Sequence, residues 1–142
     1  MKIVQTNFPQ INRDFLETLQ INIGYKCNQA CSHCHVDASP SRTEMMSDKI
    51  IKLIPKVIKV NNIKMLDITG GAPELHPKFK KLVKEVRSMN VEVMDRCNLT
   101  ILTEPGHENL ASFLASNKVQ ITASLPCYLK DNVDKQRGKG VF

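Results

Sequence analysis

Leu19-Gln20-Ile21-Asn22-Ile23-Gly24-Tyr25-Lys26-Cys27-Asn28-Gln29-Ala30-Cys31-Ser32-His33-Cys34 is the stretch from which the rest of the chain is read. The alternation from Leu19 to Ile23 predicts a strand, and the loop after it carries cysteines spaced Cys27-x3-Cys31-x2-Cys34. A closed zinc site or a simple electron-transfer cluster uses four protein ligands, whereas a reactive site leaves one position free. Three thiols within one tight loop, with no further cysteine before Cys97, therefore point to a cubane iron–sulfur cluster with one open iron.

A Cys3His zinc site completed by His33 or His35 is the competing reading. It is disfavoured because His35 adjoins Cys34, and neighbouring side chains of an extended loop point apart. The odd cysteine count and the opening Met1-Lys2-Ile3-Val4-Gln5-Thr6-Asn7, without a basic-then-apolar leader, lead to the expectation of a reduced, cytoplasmic protein without disulfides. The most apolar helical stretch, Ile50 to Val60, is interrupted by Lys52, Lys56 and Lys59, so no membrane partner is expected.

The 142 residues suffice for one domain with a core but fall short of a complete barrel, which takes ~200 or more. The net charge of +6 comes mainly from lysines along two helices, and tryptophan is absent. Solvated helix faces account for that charge; a nucleic-acid footprint would need a basic stripe with stacking aromatics. Residues 1–18 read as an N-terminal extension, 19–125 as a strand–helix core and 126–142 as a polar tail, with Lys130 to Lys139 a polar loop.

Strand and helix alternate through the core. Strands are expected at Leu19–Ile23, Ile63–Thr69, Val91–Asp95 and Val119–Leu125. Helices are expected at Asp48–Lys59, capped by Ser47 and disturbed by Pro55, from Pro77 to Met89, and at Asn109–Ser116. This order predicts an α/β fold with a parallel sheet built by right-handed crossovers. In such folds the site gathers at the carboxyl ends of the strands. There the chain places the cysteine loop, Gly70-Gly71-Ala72-Pro73-Glu74, Arg96-Cys97-Asn98 and Ser124-Leu125-Pro126-Cys127. The glycine pair lets backbone approach a ligand closely, and Pro73 fixes the exit.

The cysteine spacing, with His33 in the aromatic place of Cys-x3-Cys-x-aromatic-Cys, resembles the radical S-adenosylmethionine (radical SAM) superfamily. The resemblance implies a partial (βα) TIM-like barrel holding a [4Fe-4S] cluster and S-adenosylmethionine. In that superfamily one electron from the reduced cluster cleaves the sulfonium bond and yields a 5′-deoxyadenosyl radical. Carried onto this chain, Cys27, Cys31 and Cys34 are iron ligands, and His33 offers backbone contact to the adenine. Gly70, Gly71, Ala72 and Pro73 correspond to the segment that meets the methionine amino group, and Ser124 to a ribose or carboxylate contact. An ordinary strand-end hydroxyl is the competing reading of Ser124. Ala72 stands where the superfamily usually has glutamate, and Glu74 is the candidate to serve in its stead.

Longer strings carry a narrower resemblance. Gly24 to Ala38, Asp67-Ile68-Thr69-Gly70-Gly71-Ala72-Pro73-Glu74-Leu75, Asp95-Arg96-Cys97-Asn98-Leu99-Thr100 and Ala123-Ser124-Leu125-Pro126-Cys127-Tyr128 are similar to the arsenosugar-biosynthesis radical SAM proteins. Members of that family are thought to join an adenosyl group to a methylated arsenic compound. Arsenic(III) seeks thiols, so Cys97 and Cys127 become candidate catalytic contacts to substrate, with an inert core role competing for each. The partners so implied are a small-molecule substrate and an electron donor such as flavodoxin or ferredoxin. The family also carries further strand–helix units and a cysteine-containing C-terminal domain. A sheet ending at its fourth strand would leave an edge open to self-association. The alternative function is a non-catalytic iron–sulfur or zinc-binding module.

Overall fold

The computed structural model describes residues 9–12 and 14–142. The opening Met1 to Asn7, with the rest of 1–8 and Arg13, lies outside the described residues, so the N-terminal extension is described only in part.

Four parallel strands form the sheet in the order β1-β2-β3-β4: β1 Thr18–Asn22, β2 Met65–Thr69, β3 Glu92–Cys97 and β4 Gln120–Ala123. The register pairs Gln20 with Asp67, Ile68 with Asp95, and Arg96 with Thr122. One face therefore carries Leu19, Ile21, Leu66, Ile68 and Val93, which enter the core beneath the helices. The opposite face carries Gln20, Asn22, Thr69, Arg96 and Thr122, which line a cavity.

The crossovers supply the helical layer. Helix α1 (Asp48–Ile51) begins at Ser47, whose Oγ accepts from the Ile50 N–H. It ends early, and α2 (Ile54–Val60) restarts with Pro55 in its first turn. The single expected helix is thus two, because proline lacks the N–H that a helix interior uses but fits a first turn. Helix α3 (Phe79–Ser88) buries Phe79, Leu82, Val83 and Val86, spaced by three and four, against the sheet. Helix α4 is Leu110–Ser116.

Two expectations change. Strand β3 runs on through Cys97, so Arg96 and Cys97 are strand residues and not loop residues. The segment read as a polar loop is helix α5 (Lys130–Arg137), which buries Val133 and Arg137. Among the described residues, no helix is long and apolar enough to cross a membrane.

Candidate functional site

The cysteine loop leaves β1 and is held by backbone bonds to both of its neighbours. Cys27 N–H donates to the Ser39 carbonyl at 3.1 Å, and Ala72 N–H donates to the Lys26 carbonyl at 2.9 Å. The loop then closes two successive turns, Cys34 N–H to Cys31 O and Asp37 N–H to Cys34 O, each 3.1 Å. These turns bring Cys27, Cys31, Cys34, His33 and His35 to one cavity of about 590 Å³. His35 therefore shares the cavity with Cys34, since turns do not impose the alternation of an extended strand.

N–H groups point at the sulfurs. Gln29 N–H and the Asn98 side-chain amide donate to Cys27 Sγ at 3.4 and 3.5 Å, and Ala38 N–H donates to Cys34 Sγ at 3.2 Å. Burial pushes the Cys27 and Cys31 thiols above their ordinary range; these donors oppose the shift at Cys27, and the Arg137 charge opposes it at Cys31. A thiol reluctant to ionise alone, yet supplied with N–H donors for a thiolate, suits a metal that displaces the proton.

The floor of the cavity is a polar row across three strands. Gln20 Nε2 donates to Asp67 at 2.7 Å, and Arg96 clamps the same carboxylate through Nε at 2.9 Å and a terminal nitrogen at 2.7 Å. That clamp holds the Asp67 carboxyl below its usual range. The buried acid and the half-exposed arginine leave guanidinium surface facing the cavity.

Gly70 and Gly71 line the cavity, and both are required by close packing. A Cβ on Gly70, whose φ is +154°, would meet the Gly24 carbonyl oxygen at 2.5 Å; one on Gly71 would meet the Lys26 carbonyl oxygen at the same distance. Ala72 and Pro73 are buried on the other side, bordering a small space with Ile23 and Leu75, so their side chains do not reach the cavity. Glu74 is also turned away: it is 6% exposed and lies with Asp95 and Cys97. Its side chain is not part of the cavity lining.

Ser124 lies at the mouth, and its Oγ accepts from Arg137 at 3.0 Å. Cys97 does not reach the mouth. Side chains alternate along β3, so Arg96 on the cavity face sends Cys97 to the helix face, where it is 1% exposed. The thiol expected at the mouth is thus buried behind the sheet, outside the cavity lining. Cys127 is partly exposed outside the cavity lining, and donors from Leu129 N–H and the Asn132 amide lower its thiol pKa.

Sequence reasoning missed Arg137, and it put Asn98 at the strand ends without giving it a role. From α5, Arg137 donates to the Ser124 and Asn98 carbonyls at 2.6 and 3.2 Å, while Ser32 N–H donates to the Gln136 carbonyl at 2.9 Å. The helix thus straps the cysteine loop to the end of β4. Asn98 bridges Cys27 Sγ and Asn28, whose amide also reaches Thr100 and Glu104. The signal for α5 was weak: Lys130, Lys135, Gln136 and Arg137 favour a helix before Gly138, but Asp131-Asn132-Val133-Asp134 between them do not.

Such a sheet, with a thiol-lined cavity at its carboxyl end, defines an α/β protein with a candidate metal-binding site at the strand ends. Residues 21–140 match the radical SAM superfamily, and the chain belongs to it. Among curated proteins, it is 27% identical over 128 residues to a probable GTP 3′,8-cyclase of Saccharolobus solfataricus, covering 89% of this chain and 40% of that protein. It is 34% identical over 71 residues to the putative peptide biosynthesis protein YydG of Bacillus subtilis, covering 49% of this chain and 22% of that one. Among solved structures, Streptococcus suis SuiB superimposes with a TM-score of 0.69 at 16% identity, over 88% of this chain and 28% of SuiB, which shows a shared fold. SuiB bound to the precursor peptide SuiA gives a TM-score of 0.71 at 18% identity. The chain spans less than half the length of each.

Proposed function

We propose that this chain is the cluster- and cofactor-binding part of a radical SAM enzyme. The observation that carries the reading is the convergence of Cys27, Cys31 and Cys34 on one cavity, with N–H donors aimed at two of the sulfurs. In this reading the three thiolates ligate a [4Fe-4S] cluster and leave one iron open. When bound, the cluster supplies the electron that cleaves the sulfonium of S-adenosylmethionine.

The chain's own residues orient and enclose. Gly70 and Gly71, without Cβ atoms, let the loop backbone stand close to the cofactor's methionine moiety. His33 at the rim offers backbone to the adenine. Ser124, held by Arg137, presents a hydroxyl beside a cation at the end of β4 and suits an anionic or hydroxylated part of the cofactor. Arg96, anchored on Asp67, places a second positive charge on the floor. Two cations in one cavity favour an anionic carboxylate there.

For the substrate, the narrower reading is a methylated arsenic compound receiving an adenosyl group. Its support is the likeness of the Gly70-Gly71-Ala72-Pro73 and Asp95 to Thr100 strings to arsenosugar-biosynthesis proteins. Cys127, partly exposed and with a lowered thiol pKa, is the candidate thiol for a soft arsenic centre in this reading, and it stands outside the lining of the cysteine cavity. A flavodoxin- or ferredoxin-type donor would supply the electron.

The test is anaerobic reconstitution followed by dithionite reduction with S-adenosylmethionine. About four irons per chain and release of 5′-deoxyadenosine, both lost in Cys31→Ala, support the reading. Iron retained in Cys31→Ala, or a cluster that never consumes the cofactor, would favour the non-catalytic module.

A further inference from the structure

Behind the cavity, on the helix side of the sheet, the chain buries a group of acids that the cluster chemistry does not use. Glu74 comes from the short 3-10 turn Pro73–Leu75, and Asp95 and Cys97 come from the same face of β3. They are 6%, 0% and 1% exposed. All four carboxylate oxygens of Glu74 and Asp95 are buried without a hydrogen-bond partner. None of the ion pairs among the described residues includes either acid. Two like charges beside a thiol in a dry interior are strongly destabilising unless something neutralises them.

One ligand atom from each residue lies within 4.8 Å of the other two. A tetrahedral zinc ion, with bonds of about 2.0–2.3 Å, holds its ligand atoms roughly 3.3–3.8 Å apart, so small side-chain rotations would close the set. Two carboxylates and one thiolate are a mixed hard and soft donor set, which suits a borderline-soft ion better than calcium or magnesium. Cys97 also borders a separate apolar pocket of about 270 Å³ against α4 and β4, lined by Leu99, Leu102, Leu114 and Ile121.

A single shared proton is the competing way to neutralise the pair. In that arrangement burial and the neighbouring Glu74 push the Asp95 carboxyl up to about 9, so that it donates to Glu74, and the Cys97 thiol lies in hydrogen-bond reach of the same carboxylate. A divalent ion takes an atom from each of the three residues and cancels two of three negative charges.

We propose that Glu74, Asp95 and Cys97 form a second, mononuclear site for a borderline-soft divalent cation, Zn2+ by its chemistry, on the face of the sheet opposite the cluster cavity. The ion ties the turn after the glycine loop to the end of β3, and its fourth coordination position is not supplied by these three residues. Its failure would leave the cluster reading untouched, because the two sites share no residue.

The test uses cobalt as the probe. In the chain carrying Cys27→Ala, Cys31→Ala and Cys34→Ala, one equivalent of Co2+ should bind with a thiolate-to-cobalt charge-transfer band. That band should vanish in an added Cys97→Ser or Asp95→Asn and persist in an added Cys127→Ser. Zinc should raise the melting temperature by several degrees, and Glu74→Gln should abolish the rise. If the triple variant does not fold, the cluster-loaded parent chain replaces it, with zinc per chain read by elemental analysis falling from one to none in Asp95→Asn. No cobalt band with zinc-independent melting, or metal retained in Cys97→Ser and Asp95→Asn, would overturn the proposal.

Discussion

An alanine at position 71 would place its Cβ 2.5 Å from the Lys26 carbonyl oxygen and 2.9 Å from both the Lys26 carbonyl carbon and the Tyr25 carbonyl oxygen. All three are backbone atoms, so no side chain can swing aside. The cysteine loop must instead withdraw from 2.5 Å towards the 3.4 Å of ordinary contact. That movement stretches Gly71 N–H to Gly24 O and Ala72 N–H to Lys26 O, both 2.9 Å. Two backbone bonds at ~1 kcal/mol each, added to ~1–3 kcal/mol of overpacking and discounted for partial relaxation, give a loss of about 2–4 kcal/mol. At roughly 3 °C per kcal/mol for a domain of this size, Gly71→Ala should melt about 6–12 °C below the parent by circular dichroism. Cys27 follows Lys26 directly, so iron incorporation should fall with it. A variant that melts within ~1 °C of the parent and takes up full iron would refute the claim that the glycine loop seats the cysteine loop.

Other perturbations read other parts of the site. Arg96→Met leaves the buried Asp67 with only Gln20 and should cost about 1.5–3 kcal/mol in urea unfolding, the range of a hydrogen bond to a charged group. Because the folded pKa of Asp67 is depressed, its contribution is present above the unfolded value of about 4 and is lost as pH falls through the folded one. Urea midpoints of the parent should therefore decline below about pH 4, and those of Asp67→Asn less steeply. Arg137→Gln should speed amide exchange at Ser32 and across α5, whose strap it removes; unchanged protection would contradict that role. Cys97→Ala should leave iron per chain at the parental level, since its sulfur lies behind the sheet, and a loss of cluster would make it a ligand.

The sheet and the cysteine loop were legible because their signals are local. Alternation over Leu19–Ile23, cysteine spacing and a glycine pair after a strand are each set by a few neighbouring residues. What escaped depends on where a strand stops. Reading Arg96-Cys97-Asn98 as loop put both Arg96 and Cys97 at the mouth; once β3 extends through Cys97, the two-residue period allows only one of them there. The same parity carries Asp95 to the helix side beside Glu74, which no local pattern announces. Helix α5 escaped because its inward contacts are few, with Val133 and Arg137 its buried side chains. Arg137 reads as surface charge until the fold supplies the Ser124 and Asn98 carbonyls.

The central claim is a three-cysteine cluster with an open iron at Cys27, Cys31 and Cys34. Electron paramagnetic resonance of the anaerobically reconstituted, reduced chain, recorded with and without S-adenosylmethionine, tests it most directly. The account predicts a [4Fe-4S] signal that shifts when the cofactor is added and is absent from Cys31→Ala. A cluster signal indifferent to the cofactor, or zinc held at the three cysteines in place of iron, would contradict it.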